Sequence, residues 1–130
     1  IHDAIRRAAA GVAAFDLEIR GAGAFPHPGR PRTLWVGAGE GGKEIAALAA
    51  NVEKALAKLG FRKEARRFES HLTIGRVRGG GPAIAELGRL LRENADFDAG
   101  RCHIAELVIF SSNLTPQGPI YEALGRVRLA

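Results

Sequence analysis

The order in which helical and strand patterns follow one another constrains the fold of this chain more than any other feature. Apolar residues recur at helical spacing over residues 2–14, a segment that alternates between apolar and polar residues follows at 15–20, and a short strand is predicted at 33–36. The same order returns at the other end of the chain, where a helix with a stripe of leucines precedes strands at 104–110 and 120–129. We interpret this recurrence as an approximate internal repeat, which indicates an α+β protein built from two similar units.

The two units differ in one element. A strand at 70–77 precedes the helix of the second unit, whereas no strand precedes the helix of the first. The chain also starts at Ile1 and contains no methionine. If the units are related, a strand belongs immediately before Ile1, and we therefore expect residues 1–130 to be a single two-lobed domain whose N-terminal strand is missing.

Three segments connect these elements. Three prolines between residues 25 and 31 predict a loop. A glycine-rich turn at 37–42 leads into a long helix whose apolar stripe stops at Gly60, the position of a C-terminal glycine cap. A basic linker at 62–67 follows this helix. Separately, Gly125 predicts a bulge within the last strand.

Composition limits the class of protein and its partners. With 130 residues, of which 46% are hydrophobic and 25% charged, the chain is ordinary for a globular protein and large enough for one core. No apolar run approaches the length of a membrane span, and the single Cys102 cannot form an internal disulfide, which indicates a reduced, cytoplasmic setting. The net charge of +5 favours RNA, DNA or nucleotides as ligands, although solubility alone explains it equally simply.

The segment His71-Leu72-Thr73 carries the clearest chemical signal. Residues two apart on a strand share a face, so the imidazole and the hydroxyl point one way, while Leu72 and Ile74 are expected to be buried on the other. Phosphoryl transfer needs a proton carrier that works near neutral pH and a donor to non-bridging oxygens, and this pair supplies one of each. Strict alternation sends Arg76 to the opposite face, so its participation requires a bulge or the end of the strand.

Several segments together resemble one known family. Residues 67–78, which read Arg-Phe-Glu-Ser-His-Leu-Thr-Ile-Gly-Arg-Val-Arg, are similar to the second signature of the bacterial 2′-5′ RNA ligase group of two-histidine phosphoesterases, now usually described as RNA 2′,3′-cyclic phosphodiesterases. Other segments are similar in order and spacing, and the resemblance covers essentially the whole chain. These are the Phe25-Pro26 loop before residues 32–37, the helix end at 59–61, and residues 107–111 followed by 118–121.

The chain departs from the family pattern in two places. Ser70 stands where the family usually has proline before the histidine, which removes no chemistry. The family also needs two His-x-Thr motifs, one in each lobe, and only one is present, since His2, His27 and His103 lack the threonine two positions later. The resemblance places the first motif shortly before Ile1, where the internal repeat also requires a strand.

The resemblance implies a fold and a reaction. The fold has two pseudo-symmetric lobes, each an antiparallel sheet covered by helices, with an active-site cleft between the sheets. The reaction is hydrolysis of a terminal 2′,3′-cyclic phosphate on RNA to a 2′-phosphate, without metal or cofactor, and 2′-5′ RNA ligation is its companion activity. The partners implied are RNA or nucleotides with such ends, and we expect a monomer that does not associate with membranes.

The resemblance also assigns roles to residues. His71 corresponds to the proton acceptor and Thr73 binds the non-bridging oxygens, while the second histidine protonates the departing 3′ oxygen. Arg76, Arg67 and Tyr121 are the candidate contacts to phosphate or RNA.

Two other interpretations remain open. A basic RNA-binding module without catalysis needs only the positive charge and the strand residues Thr73, Trp35 and Tyr121. Residues 37–42 also satisfy the dinucleotide-binding pattern G-x-G-x-x-G, but the next strand ends in arginines rather than an acidic residue. A plain glycine-rich connector is the simpler interpretation of that segment.

Overall fold

The computed structural model describes all 130 residues and contains three helices and six strands. Their bounds are α1 His2–Ala8, β1 Phe15–His27, β2 Arg30–Ala38, α2 Gly42–Ala57, β3 His71–Arg76, α3 Pro82–Glu93, β4 Asp98–Ile104, β5 Glu106–Thr115 and β6 Gly118–Arg128. The strands form a four-stranded sheet in the order β3-β2-β1-β4 and a two-stranded sheet of β5 and β6. The pairs β1–β2, β2–β3 and β5–β6 are antiparallel, which confirms the predicted α+β class.

The chain divides into two compact units, one around each sheet. The four-stranded unit comprises Asp16–Ala46 and Phe68–Cys102. The two-stranded unit comprises Ile1–Phe15, Ala47–Arg67 and His103–Ala130. No helix is both long enough and apolar enough to cross a membrane.

The two-stranded unit contains a buried apolar cluster. Helix α1 packs on β6, and the buried members of the cluster come from both helices of this unit and from the end of the chain, namely Ile5, Ala9, Leu48, Val127 and Leu129. Helix α2 ends at Ala57 and is followed by a turn that closes at the predicted Gly60, whose φ is 94°, and the Phe61 amide donates to the Leu56 carbonyl. The predicted bulge in β6 is confirmed by a register shift at Gly125, which pairs with Ile109.

The four-stranded unit differs from the expected loop at residues 25–31. The hairpin strands β1 and β2 extend to His27 and from Arg30, so only residues 28 and 29 form the turn. Pro26 faces Pro31 across a register shift. Neither proline has an amide hydrogen to donate. Two prolines can therefore face each other where the paired strands form no backbone hydrogen bond, and both strands continue through them.

The expected burial of Leu72 and Ile74 is wrong. Both side chains are 60% exposed. Strand β3 lies at the edge of its sheet, and α3 packs on β2 rather than on β3, so the back of β3 stays uncovered. An alternating strand pattern predicts which residues share a face, but not whether a helix covers that face.

Two further elements differ from the sequence prediction. Helix α1 ends at Ala8 rather than at residue 14, because the chain turns through Gly11, whose φ is 77°. Strand β4 has no counterpart in the sequence pattern, since its residues are mostly exposed and include Gly100. It pairs with β1 at the other edge of the four-stranded sheet.

The glycine-rich segment at 37–42 is a connector pressed against β1. A Cβ on Gly41 would lie 2.3 Å from the Asp16 carbonyl oxygen, and a Cβ on Gly39 would lie 2.2 Å from Glu18 Oε1. The glycines are thus explained by close packing, and the antiparallel pairing of β2 with both of its neighbours differs from the parallel sheet of a dinucleotide-binding fold.

Candidate active site

A bulge in β3 brings three of the predicted site residues to one face. His71, Thr73 and Arg76 lie opposite Gly37, Trp35 and Thr33 of β2. The register shifts between Leu34 and Trp35, so β3 has one more residue than β2 over this stretch. Because residues 33, 35 and 37 share a face of β2, their partners share it too. Arg76 therefore lies on the side of His71, as its participation requires.

The imidazole of His71 is anchored by a backbone hydrogen bond. Its Nδ1 lies 2.7 Å from the carbonyl oxygen of Glu69. A carbonyl oxygen can only accept, so Nδ1 carries the proton and donates it to this bond. In the neutral ring Nε2 is then the unprotonated nitrogen, which is the state that a proton acceptor needs.

Aromatic rings support the same imidazole from the neighbouring strands. Phe25 of β1 meets His71 edge to face, with ring centroids 4.9 Å apart and an angle of 89° between the planes. Trp35 of β2 packs on Phe25 with centroids 5.5 Å apart. The indole lies close over the backbone of two glycines on the same face, since a Cβ on Gly23 would be 2.3 Å from Cζ2 and one on Gly37 would be 3.1 Å from Cζ3.

The other two polar groups on this face are suited to an anionic ligand. Thr73 is exposed, and its hydroxyl is a donor to phosphate oxygens. Arg76 is also exposed, and its Nη1 donates to the Thr33 hydroxyl at 3.3 Å, which tethers one end of the guanidinium. A base, a hydroxyl and a guanidinium on one open face form an arrangement that can bind a phosphate and accept a proton beside it.

The remaining predicted contacts, Arg67 and Tyr121, lie in the two-stranded unit. Arg67 is exposed in the irregular segment before β3. Tyr121 lies on β6, is 64% exposed, and meets Phe110 edge to face with ring centroids 6.1 Å apart. Their role in binding RNA stays a prediction.

The other candidate groups have local structural explanations or no evident role. His2 lies 3.3 Å from the Arg126 carbonyl oxygen, and His27 Nδ1 accepts from the Gly29 amide at 2.9 Å. Cys102 is exposed on β4. No three His, Cys, Asp or Glu side chains are grouped so that they could hold a metal ion.

Sequence reasoning misses the supports of His71. Glu69 acts through its carbonyl group, which no side-chain pattern reveals. The prolines place Phe25 in a predicted loop, and Trp35 is equally compatible with base stacking and with packing. A signal is present, because Gly23 and Phe25 are two apart, as are Trp35 and Gly37, so each pair shares a face of its strand.

Comparisons with known proteins show which family the chain resembles. Residues 1–114 match the 2′-5′ RNA ligase superfamily. An RNA 2′,3′-cyclic phosphodiesterase from Aeropyrum pernix is 40% identical over 116 residues, which are 89% of this chain and 65% of that protein. One from Methanothermobacter thermautotrophicus is 35% identical over 130 residues, covering 99% of this chain and 68% of its own length.

Solved structures share the fold. A crystal structure of a Thermus thermophilus protein superposes with a TM-score of 0.69 at 26% identity, over 98% of this chain and 67% of that chain. Escherichia coli LigT, solved with 3′-AMP, has a TM-score of 0.68 at 20% identity, over 98% and 68% of the two chains, which shows the fold alone. This chain spans 65% and 60% of two curated relatives. On its match over residues 1–114 and its 40% identity to a curated relative, the chain belongs to the 2′-5′ RNA ligase superfamily.

Proposed function

We propose that the protein hydrolyses a terminal 2′,3′-cyclic phosphate of RNA to a 2′-phosphate. The observation that carries this proposal is the hydrogen bond from His71 Nδ1 to the Glu69 carbonyl, which leaves Nε2 as the basic atom. Thr73 and Arg76 share that face and supply the donors that a phosphate needs. The names of the relatives from Aeropyrum and Methanothermobacter support the same reaction.

The proposed step conserves atoms and protons. His71 Nε2 takes a proton from water as the water oxygen forms a bond to phosphorus. The bond between phosphorus and the 3′ oxygen breaks, and that oxygen takes a proton from a second acid. The products are a 2′-phosphate and a free 3′ hydroxyl. Thr73 and Arg76 hold the non-bridging oxygens, where negative charge develops.

The second acid is not evident among residues 1–130, and we propose that a second His-x-Thr strand supplies it. In the four-stranded unit, the strand with His71 lies beside β2, the second strand of the β1–β2 hairpin. The internal repeat puts the equivalent strand beside β6, the second strand of the β5–β6 hairpin. Strand β6 has two large exposed apolar side chains, Ile120 and Leu124, beside which the side chains of another strand could pack.

The same site also supports ligation. If the attacking water is replaced by the 5′ hydroxyl of a second RNA, attack on the cyclic phosphate joins the two strands through a 2′-5′ linkage. The proton roles then stay the same, because the hydroxyl gives its proton to His71 as water does. We propose that the protein acts in this way as a monomer in the cytoplasm, and that RNA or nucleotides with cyclic phosphate ends are its substrates.

The test uses the full-length protein and an RNA oligonucleotide that ends in a 2′,3′-cyclic phosphate, in water enriched in oxygen-18. We expect a 2′-phosphate that carries one heavy oxygen. A 3′-phosphate product would overturn the assignment of the leaving group. Tight binding of the oligonucleotide without any turnover would favour the alternative function, a basic RNA-binding module without catalysis.

A further inference from the structure

Positive charge is concentrated at one end of the four-stranded sheet. Residues 19–39, which include most of the β1–β2 hairpin, contain no Asp or Glu, and neither do residues 70–85, which include β3 and the loop after it. The antiparallel register places the start of β2 beside the end of β3, since the Val77 amide donates to the Arg32 carbonyl at 2.8 Å. This end of the sheet therefore brings together Arg30, Arg32, Arg76 and Arg78.

None of these four arginines forms an ion pair, in contrast to others in the same unit. Arg20 pairs with Glu18, Arg101 with Glu18 and Glu40, and Arg89 with Glu86 and Glu93. Two hydrogen bonds raise the pKa of the Arg89 guanidinium, and the bond to Glu86 has a larger effect than the bond to Glu93. The charge of the paired arginines is locally compensated, whereas the charge at the end of β2 and β3 is available to an anionic ligand.

Two of the unpaired arginines line a groove. Its walls are Pro26, Arg30–Arg32, the glycines at 79–81 and Ile84, and its volume is about 460 Å³. Arg32 Nη1 donates to the Gly79 carbonyl at 3.4 Å, which ties the glycine loop to β2. A Cβ on Gly79, Gly80 or Gly81 would meet nothing within 4 Å, so this wall is open to solvent.

We infer that this groove binds the phosphodiester backbone of RNA upstream of the reacting end, an inference that rests on the proposed function for its alignment with His71. Trp35 lies opposite Thr73. Arg32 is three positions before Trp35 on β2, which is about 10 Å along the strand. At about 3.4 Å per stacked nucleotide this is roughly three nucleotides. Arg76 lies between the two positions on the face of His71, whereas Pro26, Pro31 and Ile84 of α3 place the groove on the opposite face of the sheet. An RNA strand that engages His71 and Arg76 would therefore reach the groove around the end of the sheet, which adds to this length.

The groove suits an RNA backbone better than an acidic peptide for two reasons. The planar guanidinium groups of Arg30 and Arg32 offer forked donors that match phosphate oxygens. Pro26 and Ile84 provide an apolar surface against which a ribose or base can pack. The groove also lies at the end of the sheet where β3 ends, beside Arg76 and Arg78.

The test compares a long and a short ligand in four variants. We expect Arg30→Gln and Arg32→Gln to weaken binding of an oligonucleotide of about eight residues with a 2′-phosphate end. The slope of log K against log salt should fall by about 0.7 for each phosphate that a variant no longer neutralises. Turnover of a cyclic mononucleotide, which is too short to reach the groove, should stay within twofold of wild type. Arg32→Lys should restore only part of the binding, because it keeps the charge without the forked geometry.

Lys43→Gln is the matched control. It removes one exposed positive charge from the same unit, at the start of α2. Helix α2 follows the far end of β2, where Ala38 is eight positions after Arg30, or about 26 Å along the strand. The salt slope of Lys43→Gln should equal that of the wild type. The proposal that the groove binds RNA would be overturned if the Lys43 variant lost as much affinity as the arginine variants. It would also be overturned if the salt slope were unchanged in both arginine variants. An acidic peptide that competes as well as RNA would overturn it too.

The outcomes separate this inference from the proposed reaction. Arg30-dependent RNA binding without hydrolysis of any cyclic phosphate would refute the reaction and support the groove. If the protein hydrolyses the cyclic phosphate but Arg30→Gln binds long RNA as tightly as the wild type, the proposed role of the groove is refuted. The proposed reaction is then unaffected. Thermal unfolding of each variant checks that the fold is intact.

Discussion

Phe25 holds the imidazole of His71 edge to face, with the ring centroids 4.9 Å apart, although the two residues belong to strands that do not pair with each other. Together with the hydrogen bond to the Glu69 carbonyl, this contact fixes an otherwise exposed side chain at two points. The Nε2 atom is the part of the ring that remains for chemistry. We therefore propose that Phe25 positions His71 for the proposed reaction.

Loss of the Phe25 ring should therefore reduce turnover more than binding. We expect Phe25→Ala to lower kcat by about 10- to 100-fold, because small misplacements of a reacting group are costly, while KM changes little. Steady-state kinetics on a cyclic mononucleotide measures this, and Phe97→Ala removes a half-exposed ring from the same unit as a control. An increase in KM with kcat unchanged would instead make Phe25 a surface on which the substrate stacks.

The glycines beneath Trp35 should be required for stability. A Cβ on Gly23 would lie 2.3 Å from the indole, whereas a Cβ on Gly80 would meet nothing within 4 Å. We expect Gly23→Ala to lower the free energy of unfolding by about 1–3 kcal/mol through overpacking. Gly80→Ala should change it by less than about 0.5 kcal/mol. Urea denaturation followed by Trp35 fluorescence compares the two, and equal stabilities would show that the indole can shift without cost.

Arg76 should depend on the shape of its side chain as well as on its charge. The guanidinium donates to Thr33 at 3.3 Å and keeps further donors for a phosphate. We expect Arg76→Lys to reduce kcat/KM about tenfold, since the forked geometry is absent from lysine, without moving the pH optimum, since no titrating group is removed. The control is Arg92→Lys on α3. A lysine variant with wild-type kinetics would remove Arg76 from the site.

The sequence contains enough to predict which residues of β3 share a face. Strict alternation pairs His71 with Thr73, and a bulge is the condition under which Arg76 joins them, a condition that the register of β2 and β3 meets. Helix α2 and its cap at Gly60 also follow from local rules, because an apolar stripe and a C-terminal glycine are properties of a single segment. These are the features that depend on neighbours close in sequence.

The features that could not be predicted depend on residues far apart in sequence. Exposure of Leu72 and Ile74 depends on where α3 packs, and β4 is held by pairing with β1 rather than by a pattern of its own. The contact of Phe25 with His71 joins β1 to β3 across β2. A proline-rich segment also indicates a loop by itself, and only its partner strand shows that the hairpin continues through it.

The proposed reaction depends most directly on His71 as the proton acceptor. The decisive measurement is the rate at which full-length His71→Ala hydrolyses a 2′,3′-cyclic nucleotide, compared with His27→Ala, which removes an exposed histidine from the same unit. We predict a loss of at least about a hundredfold for His71→Ala, the usual contribution of a general base, and a rate within twofold of wild type for His27→Ala. Near-normal turnover by His71→Ala would contradict the proposed mechanism.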